Sequence, residues 1–315
     1  MIEALAITGP TASGKTALSL SVAEALGCEI LSCDSMQIYK GMDIGTAKAT
    51  AAEQARVPHH LIDLADPREP FSAQDYADAA ISCAEDIVSR GHIPLFVGGT
   101  GLYISTLTRA SMTEVPKASD EYRDAILLTV RSEEDKLALH ERLRQVDPIS
   151  AQAIHPNNLR RLIRALEIFD RTGKPKSYFD ELSRTAEPPM SIKTVAIDVH
   201  NRDLLYERID RRVDIMMNEG LEAEVRALYE GGMLLPDTTA AQAIGYKELI
   251  GYLKGEKSLV SSVDEIKQAS RNYAKRQLTW WRADRGAIPL FADTDDGIMK
   301  SADRMLEEYM QLTGN

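Results

Sequence analysis

Hydrophobic and polar positions divide the chain into segments of two periods. Ala4-Leu5-Ala6-Ile7-Thr8 is a short apolar run of strand length. After a glycine-rich break, Ala17 to Leu26 places Leu18, Val22, Ala25 and Leu26 at helical spacing. Glu29-Ile30-Leu31-Ser32-Cys33 is a second strand and ends in Asp34-Ser35. Residues 36–48 carry two glycines and mixed polarity, so they form a loop. Pro58 to Asp63 is a short strand with polar neighbours. Ser72 is positioned to cap a helix that runs to about Arg90 and stops at Gly91. Ile93 to Val97 is a buried strand that ends in Gly98-Gly99-Thr100-Gly101-Leu102-Tyr103.

From Pro116 to Pro189 the pattern changes. Helix formers and charges dominate and runs of β-branched residues disappear. Helices are expected near 119–129, 133–146, 149–154, 158–171 and 176–183. Lys193 to Val199 returns to strand chemistry. Helices follow over Arg202–Asn218 and Glu222–Tyr229, then a loop over 239–245 that enters a short helix. Ser262 and Glu265 form a capping box for a long final helix. A strand–loop–helix–strand start implies a parallel sheet with right-handed crossovers. The expected architecture is α/β: a core from 1–115 and 190–315, interrupted by a helical insertion at 116–189.

The first break, Gly9-Pro10-Thr11-Ala12-Ser13-Gly14-Lys15-Thr16, fits G-x-x-x-x-G-K-[ST], the P-loop, in its strand–loop–helix context. The sheet is therefore expected to be P-loop NTPase-like. Backbone N–H groups and the positive end of the helix converge on a phosphate. Lys15 adds charge, and the Thr16 hydroxyl in such loops holds magnesium. Asp34 falls on the same sheet edge, beyond the carboxyl ends of the strands. A carboxylate there can act as general base, hold metal or orient a substrate. A standard ATPase would end a neighbouring strand in a carboxylate. Here Ile93–Val97 ends in a glycine turn and Thr100, which leaves room for a bulky group to approach the backbone. His59 and His60 lack a third metal ligand at suitable spacing, which favours hydrogen-bonding roles.

Composition changes the picture in one respect. The chain has 315 residues and a net charge of −11, which by itself argues against a nucleic-acid partner. The distribution of charge argues the other way. Lys267, Arg271, Lys275 and Arg282 recur at intervals of four, four and seven residues, with no acidic residue between Ile266 and Ala283. At about 100° per residue they share a helix face roughly 80° wide. Trp280 and Trp281 lie in this stripe, where one can stack on an unpaired base and at least one is expected to pack inward. A second candidate is the helix opened by Asn157 or Asn158, which presents Arg160, Arg161 and Arg164. Its alternative is a solvated face with an Arg164–Glu167 pair. Arg208, Arg211, Arg212 and Arg226 could each reach a diphosphate. No apolar run spans a membrane. Three cysteines form no disulfide framework. The N-terminus enters a strand at once. A cytoplasmic monomer is expected.

Gly9–Thr16, Asp34-Ser35-Met36-Gln37-Ile38-Tyr39, Gly41-Met42-Asp43-Ile44-Gly45-Thr46-Ala47-Lys48, Gly98–Tyr103 and Lys275-Arg276-Gln277-Leu278-Thr279-Trp280 occur in one order. Together they resemble the tRNA dimethylallyltransferases over nearly the whole chain. Ala49 and Trp281 depart from the family pattern. The resemblance implies transfer of a dimethylallyl group from dimethylallyl diphosphate to N6 of the adenosine 3′-adjacent to the tRNA anticodon. It implies that Lys15 and Thr16, with Mg2+, stabilise the leaving diphosphate, with Arg212 and Arg226 as arginine candidates. It makes Asp34 the general base and Thr100 a positioning group. Ser35, Met36 and Gln37 would contact the target base. Arg123, Asn158, Leu159, Arg160, Arg161, Leu162, Gln242, Gly245, Tyr246, Lys247, Lys275, Arg276, Gln277, Trp280 and Arg282 would hold the anticodon stem-loop. The runner-up is a small-molecule kinase with ATP on the P-loop. A third reading is a nucleotide-dependent RNA-binding module without chemistry.

Overall fold

The computed structural model describes residues 1–110 and 115–314. Six parallel strands form one sheet in the order β3-β2-β4-β1-β5-β6. They are β1 (Ile2–Thr8), β2 (Cys28–Ser32), β3 (His59–His60), β4 (Ile93–Gly98), β5 (Met190–Asp198) and β6 (Ile288–Phe291). The first helices are α1 (Lys15–Leu26), α2 (Ala51–Arg56), α3 (Ala73–Ser89) and α4 (Gly101–Leu107). The register places Leu5 beside Leu95 and Thr8 beside Gly98. Parallel strands covered on both faces read as continuous apolar runs, and all five residues of β2 are buried.

Residues 109–189 form a separate compact helical unit, which begins before the expected start at Pro116. It contains α5 (Asp120–Leu127), α6 (Glu133–Val146), α7 (Pro148–Ala153), α8 (Leu159–Thr172) and α9 (Lys176–Thr185). Its core gathers Leu143, Ala151, Ile154, Leu162, Ala165 and Leu166. The buried Glu167 carboxylate organises one side, accepting from Ser119 N at 2.7 Å and Arg164 Nη1 at 2.6 Å.

The sheet unit, residues 1–108 and 190–314, continues with α10 (Arg202–Asn218), α11 (Leu221–Glu230), α12 (Tyr246–Leu253), α13 (Leu259–Ala283) and α14 (Ala302–Thr313). One face of the sheet packs Leu18 and Val22 of α1 with Leu205 and Ile209 of α10, Leu278 of α13 and Tyr309 of α14. The other face packs Tyr76 and Ile87 of α3 with Tyr103 and Ile104 of α4. A third cluster joins Ile38, Tyr39 and Met42 to Val213, Leu221, Tyr246 and Ile266 and supports the loop that follows β2.

Two local expectations change. The cap of α13 is Ser258, whose side chain accepts from Ser261 N at 3.2 Å, and not Ser262. Ser262 is buried and donates to Glu248 O, because the helix begins one turn earlier and its first turn packs on α12. The tail supplies β6 and α14, which the hydrophobic pattern left unassigned. Among the described residues, no helix is long and apolar enough to cross a membrane.

Candidate active site

The P-loop connects β1 to α1 with Gly9 at φ 141° and Gly14 at φ 95°. A side chain at Gly9 would also come within 2.8 Å of Ile197 O. Gly14 is the N-cap of α1 and has no capping side chain, and the first turn holds no acidic residue. The N–H groups of that turn are therefore free to bind an anion. Ser13 Oγ is buried and has no hydrogen-bond partner among the described residues. Leaving such a hydroxyl unpaired is costly, and a phosphate oxygen would satisfy it.

Lys15 Nζ turns back on Gly9 O at 3.1 Å and Pro10 O at 2.7 Å. Burial and the neighbouring Arg212 guanidinium lower its pKa to about 7, while Asp34 opposes them. Arg212 itself is held below its usual range by burial, with Asp34 again acting the other way. These three groups line one cleft of about 940 Å3, together with Thr16, Ser35, Met36, Gln37, Gly45 and Tyr273. Thr16 is exposed at the mouth. Asp34 Oδ1 accepts from Met36 N at 2.9 Å, which holds the carboxylate across the turn after β2. Thr100 Oγ1 accepts from Ser35 N at 3.1 Å.

Arg208, one of the four arginines expected to be able to reach a diphosphate, and Tyr273, which no motif singled out, also belong to this cleft. Arg208 Nε donates to Ala12 O at 2.9 Å and braces the P-loop from α10. Tyr273 lines the cleft, and burial beside Asp34 raises its pKa. Ser270, Tyr273 and Gln277 are spaced i, i+3 and i+7, so they share the α13 face that lines the cleft. That periodicity was visible in the sequence but was obscured by the charges on the opposite face.

Several expected roles do not match the positions found. Arg226 is exposed and paired with Glu222 at 2.5 Å and Glu230 at 3.4 Å, away from the cleft lining. Gln37 spends its amide inside the protein, donating to Thr46 O and Ala47 O and accepting from Ser32 Oγ. It therefore shapes the loop instead of offering a free amide to a base. Leu162 is wholly buried in the helical unit. Tyr246 is wholly buried and donates to Glu224, with the buried Gly245 at its side. Gln242 and Lys247 are exposed. The small residues of the glycine turn admit the protein's own groups. Side chains at Gly98, Gly99 and Gly101 would meet the Cys33 backbone, the Gln277 amide and the Trp280 indole.

The basic stripe is largely neutralised. Lys267 pairs with Asp214 at 2.6 Å, Arg271 with Asp210, and Arg282 with both oxygens of Asp198 at 2.7 and 2.8 Å. Lys275 and Arg276 are exposed and have no carboxylate partner among the described residues, and they lie over the Tyr206 and Tyr273 rings. Trp280 is exposed at 41% and Trp281 buried at 4%, so only the first can meet a partner. In the helical unit Asn158 caps α8 by accepting from Arg161 N. Arg160 and Arg161 are exposed without a carboxylate partner among the described residues, with Leu159 half-buried beside them. Arg123 is paired with Asp120 and Asp124.

His60 Nε2 meets Glu29 at 2.6 Å and His59 Nδ1 meets Val57 O at 2.8 Å, the hydrogen-bonding roles expected. Among the described residues no group of three histidine, cysteine or acidic side chains could hold a metal. A cation at the P-loop would therefore rely on Thr16 and on the oxygens of its own substrate, as magnesium commonly does.

Comparison with known proteins agrees with this layout. The model of the IPP transferase family matches residues 37–284. A tRNA dimethylallyltransferase of Geobacillus thermodenitrificans is 50% identical over 277 residues, 88% of this chain and 86% of that protein. One from Geobacillus kaustophilus is 44% identical over 98% of both chains. The crystal structure of the tRNA isopentenylpyrophosphate transferase of Bacillus halodurans is similar at a TM-score of 0.70 and 41% identity, covering 100% of this chain and 96% of that one. A eukaryotic dimethylallyltransferase caught acting on tRNA is similar at a TM-score of 0.78 and 30% identity, over 94% of this chain and 75% of that one. The family match over residues 37–284 and the identity of 44–50% across most of the length place this chain in the tRNA dimethylallyltransferase (IPP transferase) family.

Proposed function

We propose that this protein transfers a dimethylallyl group from dimethylallyl diphosphate to N6 of the adenosine 3′-adjacent to the tRNA anticodon. The observation that carries the reading is Asp34 sharing one cleft with Lys15 and Arg212, while β4 ends in glycines and Thr100 with no carboxylate. That arrangement suits a phosphate leaving group and a proton acceptor, and it disfavours the kinase reading. The P-loop N–H groups, Ser13 Oγ, Lys15 and Arg212 hold the diphosphate. Thr16 would hold magnesium, which when bound neutralises diphosphate charge. N6 attacks C1 of the dimethylallyl group, the C1–O bond breaks, and the pair leaves with the diphosphate. Asp34 takes the N6 proton. Thr100, Tyr273, Ser35 and Met36 border the base. The adenosine must leave its stack to enter, at a cost of a few kcal/mol. Incubation of unmodified tRNA with radiolabelled dimethylallyl diphosphate should place label in the RNA. Consumption of ATP with a small acceptor in its place would support the kinase. The proposed working form is a cytoplasmic monomer.

Diphosphate binding should draw a proton onto Lys15. A folded-state pKa near 7 against the ordinary 10.5 means that the unfolded chain binds more protons between those values. Lys15 therefore destabilises the empty fold most fully below pH 7, and the penalty fades as pH rises towards 10.5. An anion reverses the shift. At pH 8, calorimetry in buffers of different ionisation enthalpy should show uptake approaching one proton for wild type and much less for Lys15→Met. Equal uptake by both would exclude Lys15 as the acceptor.

RNA affinity should depend on the unpaired cations. Lys275→Ala combined with Arg276→Ala should lower the slope of log K against log salt by about 1.5, given about 0.7–0.9 per phosphate contact. Arg282→Ala, which breaks the pair with Asp198, should lower the melting temperature and leave that slope unchanged. The opposite pattern in filter binding between 50 and 200 mM salt, a range in which phosphate contacts dominate, would return Arg282 to the interface.

A further inference from the structure

Gln277 occupies an unusual place. It belongs to α13 and lies between the exposed Arg276 and Trp280, yet its side chain is buried at 5%. Its Oε1 accepts from Thr11 N at 3.0 Å, and its Nε2 donates to Gly99 O at 3.2 Å. One amide thus joins the first half of the P-loop to the turn that precedes Thr100. The fit is close, since a Cβ on Gly99 would come within 1.9 Å of Nε2. Among the described residues the acceptor for Thr11 N–H is Gln277, while Lys15 engages the carbonyls of Gly9 and Pro10. On the other side, Thr100 Oγ1 receives Ser35 N, so the turn that Gln277 holds also sets the segment bearing Asp34.

From this we infer that Gln277 is a positioning residue of the diphosphate cradle and not a tRNA contact. The inference rests on the transferase reading. The buried amide fixes the spacing between the P-loop and the Thr100 turn, and so the distance between the leaving group and the attacking base. Both ends of its amide are engaged inside the protein and the side chain is buried, which keeps it from reaching RNA.

The test is steady-state transfer kinetics with each substrate varied in turn, on Gln277→Met and Gln277→Glu. Methionine keeps the length and loses both hydrogen bonds. Glutamate keeps the acceptor for Thr11 N–H but sets a second acceptor against Gly99 O. For both variants KM for dimethylallyl diphosphate should rise about ten- to hundredfold, as small misplacements at a reacting centre do. KM and Kd for tRNA should stay within about threefold. Melting curves accompany both variants, and either one that stays folded suffices. A rise confined to the tRNA KM would overturn the inference and restore Gln277 to the RNA interface. A lower melting temperature with both KM values unchanged would also overturn it, because the residue would then be structural only. Absence of transfer by the wild-type protein would instead sink the transferase reading itself.

Discussion

Asp34→Asn lowers kcat by about 10²–10⁴, the range for losing a positioned general base. That corresponds to roughly 3–5 kcal/mol of transition-state stabilisation. The substitution is chosen for its geometry. Asparagine keeps an Oδ1 to accept Met36 N, the bond that holds the turn after β2. What it removes is the capacity to take a proton from N6. The Kd for tRNA should therefore stay within about threefold of wild type, since only the transition state loses an interaction. Asp34→Ala removes both the base and the turn bond, so it should add a loss of tRNA affinity to the same fall in rate. Single-turnover rates and filter-binding Kd values decide the matter. If affinity and rate fall together in the asparagine variant, Asp34 binds the base without accepting its proton.

Gly98→Ala should be the most damaging single methyl group that can be added to the sheet. Gly98 ends β4 beside Thr8 and faces the turn after β2. A Cβ there would lie 2.0 Å from Cys33 O and 2.3 Å from Cys33 C, both backbone atoms. No side-chain rotation relieves that overlap, so the ends of two neighbouring strands must separate. Overpacking of this kind costs about 3 kcal/mol or more. For a chain of this size that lowers the melting temperature by roughly 5 °C. Asp34 follows Cys33 directly, so activity should fall further than the lost stability explains. Gly27→Ala is the control. Gly27 has φ 65° but nothing within 4 Å of an added methyl, so only backbone strain of about 1 kcal/mol applies. Equal melting temperatures for the two variants would show that the strand ends can part freely.

Much of the chemistry was legible because it is local. The P-loop occupies eight consecutive residues, and its glycines take the positive φ values that the pattern requires. Asp34 follows a five-residue apolar strand, and parallel-sheet topology places such a residue on the same edge as the loop. The helical unit announced itself by composition. The elements missed were of two kinds, since α14 is a capped helix of twelve residues whose signal was legible and passed over, while the others were weak locally. β6 has only four residues, and the capping of α13 turned on which of several serines faces the first turn.

The charged and bridging residues were a different case. Along the sequence, Lys267, Arg271 and Arg282 stand in an acid-free stretch and look like a phosphate-binding stripe. In the fold, Asp214, Asp210 and Asp198 reach them from α10 and β5. Lys275 and Arg276 keep their charge available because no such partner faces them among the described residues. Gln277 acquires its role from Thr11, 266 positions away, and Gly99, 178 positions away. Glu224 holds the backbone of Asp43, Ile44 and Gly45 across a similar gap. The sequence by itself determined the sheet, the phosphate loop and the carboxylate beside it, since these follow from residues adjacent in the chain. Only the tertiary structure decided which cations stay free and which amides hold the cleft. Electrostatic and hydrogen-bond energies depend on distances of a few ångströms, and chain order does not encode those distances for residues on different elements.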